Sequence, residues 1–251
     1  MLKRFSFIIL FALVISGTIY SQPTATVHLA VGWCFPTGDM YGTFGDSANN
    51  FKENGDSLTY YFRNGYNYGI TVKKSLGKKG NFRLTGNLNF ALFSQTADFF
   101  NTLGGELAVN YSMNTLSLAL GGEYCLSPRR GLFNPFVGVE LTANLIGGKF
   151  ETTATATDTS TTITNTLNLK HSLRIGVQMG GGVDLQLHQS VGIILGLKYS
   201  FVNLIGKSSQ VAVNKEYGLN DAAHFENGYN RPARNITYLL LYGGFSYYFG
   251  R

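Results

Sequence analysis

Along most of this chain, apolar and polar side chains alternate one for one. A period of two places successive residues on opposite faces of an extended strand. It excludes the amphipathic helix, whose apolar stripe recurs every three to four residues. The alternation occupies eight segments: 24–36, 58–76, 81–93, 115–125, 135–150, 167–187, 191–205 and 234–249. In the third, Phe82, Leu84, Leu88, Phe90 and Leu92 share one face, with Arg83, Thr85, Asn87 and Asn89 on the other. In the last, Leu239, Leu241, Phe245, Tyr247 and Phe249 oppose Tyr242, Gly244, Ser246 and Tyr248. The same parity places Tyr60 and Phe62 on the apolar face of the second segment with Arg63 opposite, and Lys170 on the polar face of the sixth.

Connector lengths alternate as well. Gly77–Gly80, Ser127–Asn134 and His188–Ser190 are short, whereas 37–57, about 96–113, 151–166 and 207–233 are long and polar. Short turns on one rim and long loops on the other are the rhythm of a barrel that crosses a bilayer, with both termini on the short-turn rim. Leu103 to Tyr111 also alternates. A ninth strand there would put one chain end on the wrong rim, so this stretch is expected to be a flap or hairpin extension within the second long loop. The Thr-rich run 152–166 is expected to be a mobile loop on compositional grounds.

Lys3 and Arg4 precede an apolar run, Phe5 to Ile15, followed by small residues up to Ser21. That is the layout of a secretory leader, and the run is too short to span a bilayer as a helix. Residues 1–21 are therefore expected to be a cleaved signal peptide and 22–251 the mature barrel. A chain that lives in lipid without spanning helices must close its sheet, because only helices and closed barrels satisfy the backbone there. The expected fold class is all-β, an eight-stranded antiparallel up-and-down transmembrane β-barrel. With 31 glycines, 34 Phe and Tyr, and 14% charged residues, the composition fits. The net charge of +6 is not clustered, and nothing points to nucleic acid.

The pattern, together with G-G-E-Y at 121–124, N-P-F-V-G-V at 134–139, G-V-D-L at 182–185 and F-S-Y-Y-F at 245–249, resembles the small outer-membrane β-barrels of the OmpA/OmpX type over about residues 24–249. The resemblance implies a monomer in the outer membrane. It also implies outer-membrane lipid, lipopolysaccharide and the barrel-assembly machinery as partners, and an extracellular ligand of unspecified identity.

By parity, Lys73, Arg83, Glu123, Glu140, Arg174, Asp184 and Lys198 point inward. The interior of an eight-stranded barrel is just wide enough to be filled by side chains, so these charges are expected to pair into a plug. Trp33, Tyr66, Tyr68, Phe82, Tyr124, Phe245, Tyr247 and Phe249 face lipid and are expected to mark the membrane interfaces. Cys34 and Cys125 fall near opposite rims and are expected to stay reduced. His28, His171, His188 and His224 lack metal-ligand spacing, and adjacent His171 and Ser172 must face opposite sides. Asp221 with His224 is a chance pairing in a polar loop. No catalytic, cofactor or metal site emerges. The reading is a non-enzymatic surface barrel acting in envelope integrity, adhesion or surface contact through loops bearing Tyr41, Phe44, Phe51, Phe99, Phe100, Tyr217 and Phe225. A narrow porin-like channel is the alternative, with a lipid-modifying enzyme behind it.

Overall fold

Eight strands close into a ring. They are β1 (Ala25–Thr37), β2 (Gly65–Leu76), β3 (Phe82–Phe100), β4 (Glu106–Cys125), β5 (Phe133–Thr155), β6 (Thr162–Gln186), β7 (Val191–Ile205) and β11 (Thr237–Phe249). The computed structural model describes residues 24–42, 60, 62–77, 80–100, 106–126, 133–155, 162–209, 216–226 and 229–250. The expected leader lies outside them. Each ring strand runs antiparallel to its sequence neighbours. Closure is made by β1 against β11, paired from Ala25–Phe249 to Thr37–Thr237. The start of β1 and the end of β11 therefore meet on the short-turn rim.

The side-chain alternation becomes an inside and an outside. On β1, Leu29, Val31, Trp33 and Phe35 are exposed, while Thr26, His28 and Cys34 are buried. On β4, Leu116, Leu118 and Leu120 face out, and Ser117, Ala119 and Glu123 face in. A closed sheet with an apolar exterior is matched to hydrocarbon rather than water. From the level of Phe249, opposite Ala25, up to Phe35 the chain climbs ten residues of β1. That is about 33 Å of strand, or roughly 23 Å of depth at a tilt of about 45°, close to the apolar band of such barrels.

The strands are unequal. β1, β2, β7 and β11 have 12 to 15 residues, whereas β3, β4, β5 and β6 have 19, 20, 23 and 25. β2 pairs with β3 only as far as Gly65–Phe93, and β4 carries β3 on to Phe100–Glu106. The four long strands therefore stand beyond the others on the loop rim as a wall. The hairpin extension expected at 103–111 is present, and one expected loop is replaced by strand. The described part of the alternation at 103–111 is the upper end of β4, extending the β3–β4 hairpin without adding a ninth ring strand. Much of the Thr-rich run is also sheet, with Thr153 opposite Thr164 and Thr155 opposite Thr162. Low complexity masked a string of β-branched residues, which favour extended backbone.

Two parity assignments also change. Tyr60 and Phe62 precede β2 and turn into the barrel mouth, with 4% and 0% exposure, while Arg63 is exposed. Phe62 is held by a parallel bridge to Tyr41, beside the 3-10 turn Gly38–Met40. On β6 the register against β5 slips between Ile146 and Gly148, and Lys170 lies on the outer surface.

Leu118, paired with Leu88 and Ala143, is a mid-height outward residue. Leu118→Arg should cost about 2–4 kcal/mol in urea unfolding from lipid vesicles, and Leu118→Ala much less. Equal losses would contradict a lipid-facing position.

Candidate functional site

The lumen is the place where chemistry-bearing side chains meet. Near the turn rim, inward positions of β2, β3, β4 and β6 supply Lys73, Arg83, Glu123 and Asp184. Lys73 Nζ lies 3.0 Å from Glu123 and 3.6 Å from Asp184. Arg83 Nη1 donates to Asp184 at 2.8 Å, and its Nε contacts Glu123. Two cations and two anions thus neutralise one another among side chains no more than 10% exposed. Phe136 closes the cluster from β5, with the Lys73 ammonium 3.8 Å from its ring centre. The space for this is made by glycine. A Cβ on Gly138 would lie 2.8 Å from Glu123 Cβ, and one on Gly180 would lie 2.9 Å from Lys198 Cγ. These two glycines are slots that a neighbouring charged side chain fills.

A second pair sits higher, where Lys198 Nζ donates to Glu140 at 2.9 Å and Gln178 donates to the same carboxylate. Arg174 stands apart from both. Its partner is Asp221, which reaches down from the last long loop and accepts Arg174 Nε at 2.9 Å and Nη2 at 2.8 Å. Asn203 Nδ2 and the Ser208 N–H also donate to Asp221. Asn220, just before it, adopts a left-handed φ of 47°, which Asn tolerates. The sequence reading assigned Asp221 no role. Its signal was available: the inward set holds four cations, Lys73, Arg83, Arg174 and Lys198, against three acids, so one acid had to come from a loop.

Burial pushes the Asp221 carboxyl upward. The hydrogen bonds from Arg174, Asn203 and Ser208 outweigh burial and, with the Arg174 charge, hold it below the ordinary carboxylate range. Arg234 braces the same loop. Its Nη2 donates to the carbonyls of Leu219 and Asn220, and its guanidinium lies 4.5 Å from the Tyr60 ring centre.

Around the Arg174–Asp221 pair, apolar side chains fill the loop half of the lumen. Cys34, Met40, Phe62, Phe93, Met113, Ile146, Ile236 and Tyr238 form one buried cluster. Phe62 is stacked 4.9 Å from Tyr111 and tilted 5.7 Å from Phe93. Tyr217, expected on the surface, packs against this cluster through β8 (Glu216–Tyr217), which pairs with the upper part of β6. Phe225, in β9 (His224–Glu226) paired with β10 (Tyr229–Arg231), is 70% exposed, and Tyr41 is 54% exposed. Phe44 and Phe51 lie outside the described residues. Between the Lys73–Glu123 and Lys198–Glu140 pairs lies a cavity of only about 20 Å³, room for about one water.

No family model matches the chain, and no curated protein matches it. Several solved structures do. Neisserial surface protein A aligns over 90% of this chain and 97% of its own, at 11% identity and a TM-score of 0.43. The N-terminal β-barrel domain of Pseudomonas aeruginosa OprF aligns over 90% and 100%, at 11% identity and 0.37. Ail, the attachment invasion locus protein of Yersinia pestis, in complex with the heparin analogue sucrose octasulfate, aligns over 89% and 99%, at 10% identity and 0.36. The barrel stands on its own hydrogen-bond register, described above.

The remaining sequence candidates separate. His28, Ser246 and Asp184 bring the three groups of a hydrolytic triad together, each 2% exposed or less. Yet Ser246 Oγ, at 2.8 Å, and Asp184, at 3.9 Å, both approach Nδ1, whereas a triad needs them on opposite ring nitrogens. His224 bonds to the Ala222 carbonyl, and Asp221 is committed to Arg174. Cys34 and Cys125 are buried and free. Among the described residues, no cluster of three His, Cys, Asp or Glu could hold a metal.

All eight aromatics named for the interfaces face outward. Trp33–Tyr66 mark the loop side, and Phe82–Tyr124 and Tyr247–Phe249 the turn side. Phe245, opposite Leu29 and Ile193, and Tyr68, opposite Val31, lie within the apolar belt rather than at its edges.

Glu123→Ala should destabilise the barrel by about 3–5 kcal/mol, because it leaves Lys73 and Arg83 with one acid between them. A loss near zero would mean that water reaches the cluster. The Asp221 strap should be acid-labile. Its carboxyl is held low in the folded state, so its contribution is full above the unfolded value of about 3.9 and fades as pH falls through the folded value. Limited proteolysis of the last loop should therefore accelerate in strong acid. Asp221→Asn should be cut faster at neutral pH and lose the acid dependence.

Proposed function

We propose that this chain is a non-enzymatic integral outer-membrane protein that works by contact rather than by transport or catalysis. The carrying observation is the filled lumen beneath a wall of four long strands. Three ion-paired groups and an aromatic layer occupy the interior, while β3 to β6 rise beyond the membrane band. The outward side of that wall is polar, with Ser112, Lys149, Glu151, Thr153 and Thr164 among its members, which suits a surface held in water next to a membrane. The reading includes export through a cleaved leader ending near Ser21. It also includes folding by the barrel-assembly machinery, residence as a monomer among outer-membrane lipid and lipopolysaccharide, and a role in envelope integrity, adhesion or surface interaction. No cofactor enters it.

Folded and boiled forms from the outer-membrane fraction should migrate differently on a denaturing gel. In planar bilayers the folded protein should conduct little or nothing. Steady, sizeable single-channel currents would overturn the closed-lumen reading in favour of a narrow channel. Recovery in the soluble periplasmic fraction without a gel shift would remove the membrane reading altogether.

A further inference from the structure

The slip between β5 and β6 builds a feature that the lumen does not use. Ile146 pairs with Ser172 and Gly148 with Leu169, so β5 advances two residues while β6 advances three. Ser172 and Leu169 both face the interior, at 5% and 2% exposure. The two residues between them, Lys170 and His171, are both exposed. Without the extra residue, one of these side chains would point inward. A bulge sacrifices regular pairing, and its recurrent use is to re-aim a side chain.

The residue beneath is a glycine, Gly147. A Cβ on Gly147 would stand 3.1 Å from His171 Nε2 and 3.2 Å from Asn114 Oδ1. The imidazole and the amide therefore close over the Gly147 backbone, which is buried beneath them. Lys149 is the next outward residue along β5. Its ammonium holds Glu151 at 3.0 Å, with the lysine side chain 49% exposed. Exposed pairs of this kind are worth little and exchange partners readily. Among the described residues, neither the Lys170 ammonium nor the His171 ring makes a hydrogen bond or ion pair. Besides Glu151, the carboxylate nearest along the strands is Glu216, opposite Asn168.

The height of the cluster selects its ligand. Leu116, Leu145 and Leu173 form an exposed apolar row across β4, β5 and β6. Asn114, Gly147 and His171 are the next outward positions above it. Asn114 pairs with Leu92, Leu92 with Tyr66, and Tyr66 with Trp33, and because the pairing rows climb around the ring from Ala25 back to Phe35, Asn114 stands on the polar side of the loop-side aromatics. Hydrocarbon gives way to headgroups there.

We propose that Lys149, Lys170, His171 and Asn114 form a site for the phosphate of a lipid headgroup in the loop-side leaflet. Two ammoniums, an imidazole and an amide supply donors on one face, and charge-assisted hydrogen bonds to phosphate are the strong ones. The leucine row directly below receives the acyl chains of the same molecule. The site rests on the membrane reading above and names the lipid chemistry that the wall engages.

Native mass spectrometry of the full protein in a maltoside detergent tests it, with a bisphosphorylated glycolipid compared against its dephosphorylated form. The phosphorylated lipid should be retained about tenfold better, a difference of about 1.4 kcal/mol. The Lys170→Ala/His171→Ala double variant should erase most of that preference while keeping its heat-dependent gel shift. Inorganic phosphate in excess should not displace the lipid. Equal retention of the two lipids, or an undiminished preference in the double variant, would overturn the site. Displacement by inorganic phosphate would overturn the lipid as its ligand. A wild type that shows no gel shift and does not insert into vesicles would instead refute the membrane reading, a distinct result.

Discussion

A ring of eight strands has an interior about two side chains across, and that width governs the rest of the molecule. A charge placed inside it cannot be surrounded by water and must find an opposite charge. Lys73, Arg83, Glu123 and Asp184 do so on the turn side, and Lys198 with Glu140 a little higher. The same width calls for vacancies beside long side chains, which Gly138 provides next to Glu123 and Gly180 next to Lys198 on the adjoining strand. The wide mouth left at the loop rim is filled by residues that enter from outside the ring, Phe62 from one loop and Asp221 from another.

Strand length divides the molecule along its axis. The short strands β1, β2, β7 and β11 end near the loop-side aromatics, and β3 to β6 continue past them. Below that level the exterior is selected by lipid and the interior by pairing. Above it, both faces of the sheet are free to change, and polar threonines and lysines replace leucines. The β5–β6 bulge lies at the transition, where the parity of β6 is reset. Its outward pair, Lys170 and His171, stands just beyond the exposed leucine row that ends at Leu145 and Leu173.

Much of the lumen was legible from parity alone, because a strand has only two faces. All seven charges assigned to the interior are there, and the four-to-three imbalance between cations and acids announced an unseen acid. Naming Asp221 as that acid required the loop to fold back some 47 residues along the chain from Arg174. Phe62 was misread for a related reason. It continues the alternation of β2, but no neighbouring strand pairs with it in the ring, so its direction is set by Tyr41 and Phe93 rather than by the pleat.

The sequence by itself determined the fold class, the strand count, the short-turn rim and the inner and outer faces. These follow from a two-residue period that the backbone imposes locally wherever a strand is paired on both sides. The tertiary structure decided how far each strand runs, which loop residues enter the mouth, which acid meets Arg174 and where the register slips. Those outcomes depend on which segments lie side by side. Thr153 is strand because Thr164 stands opposite, and Lys170 points outward because β6 carries one residue more than β5 can match. Pairing across the ring, not the order of residues along either strand, sets both.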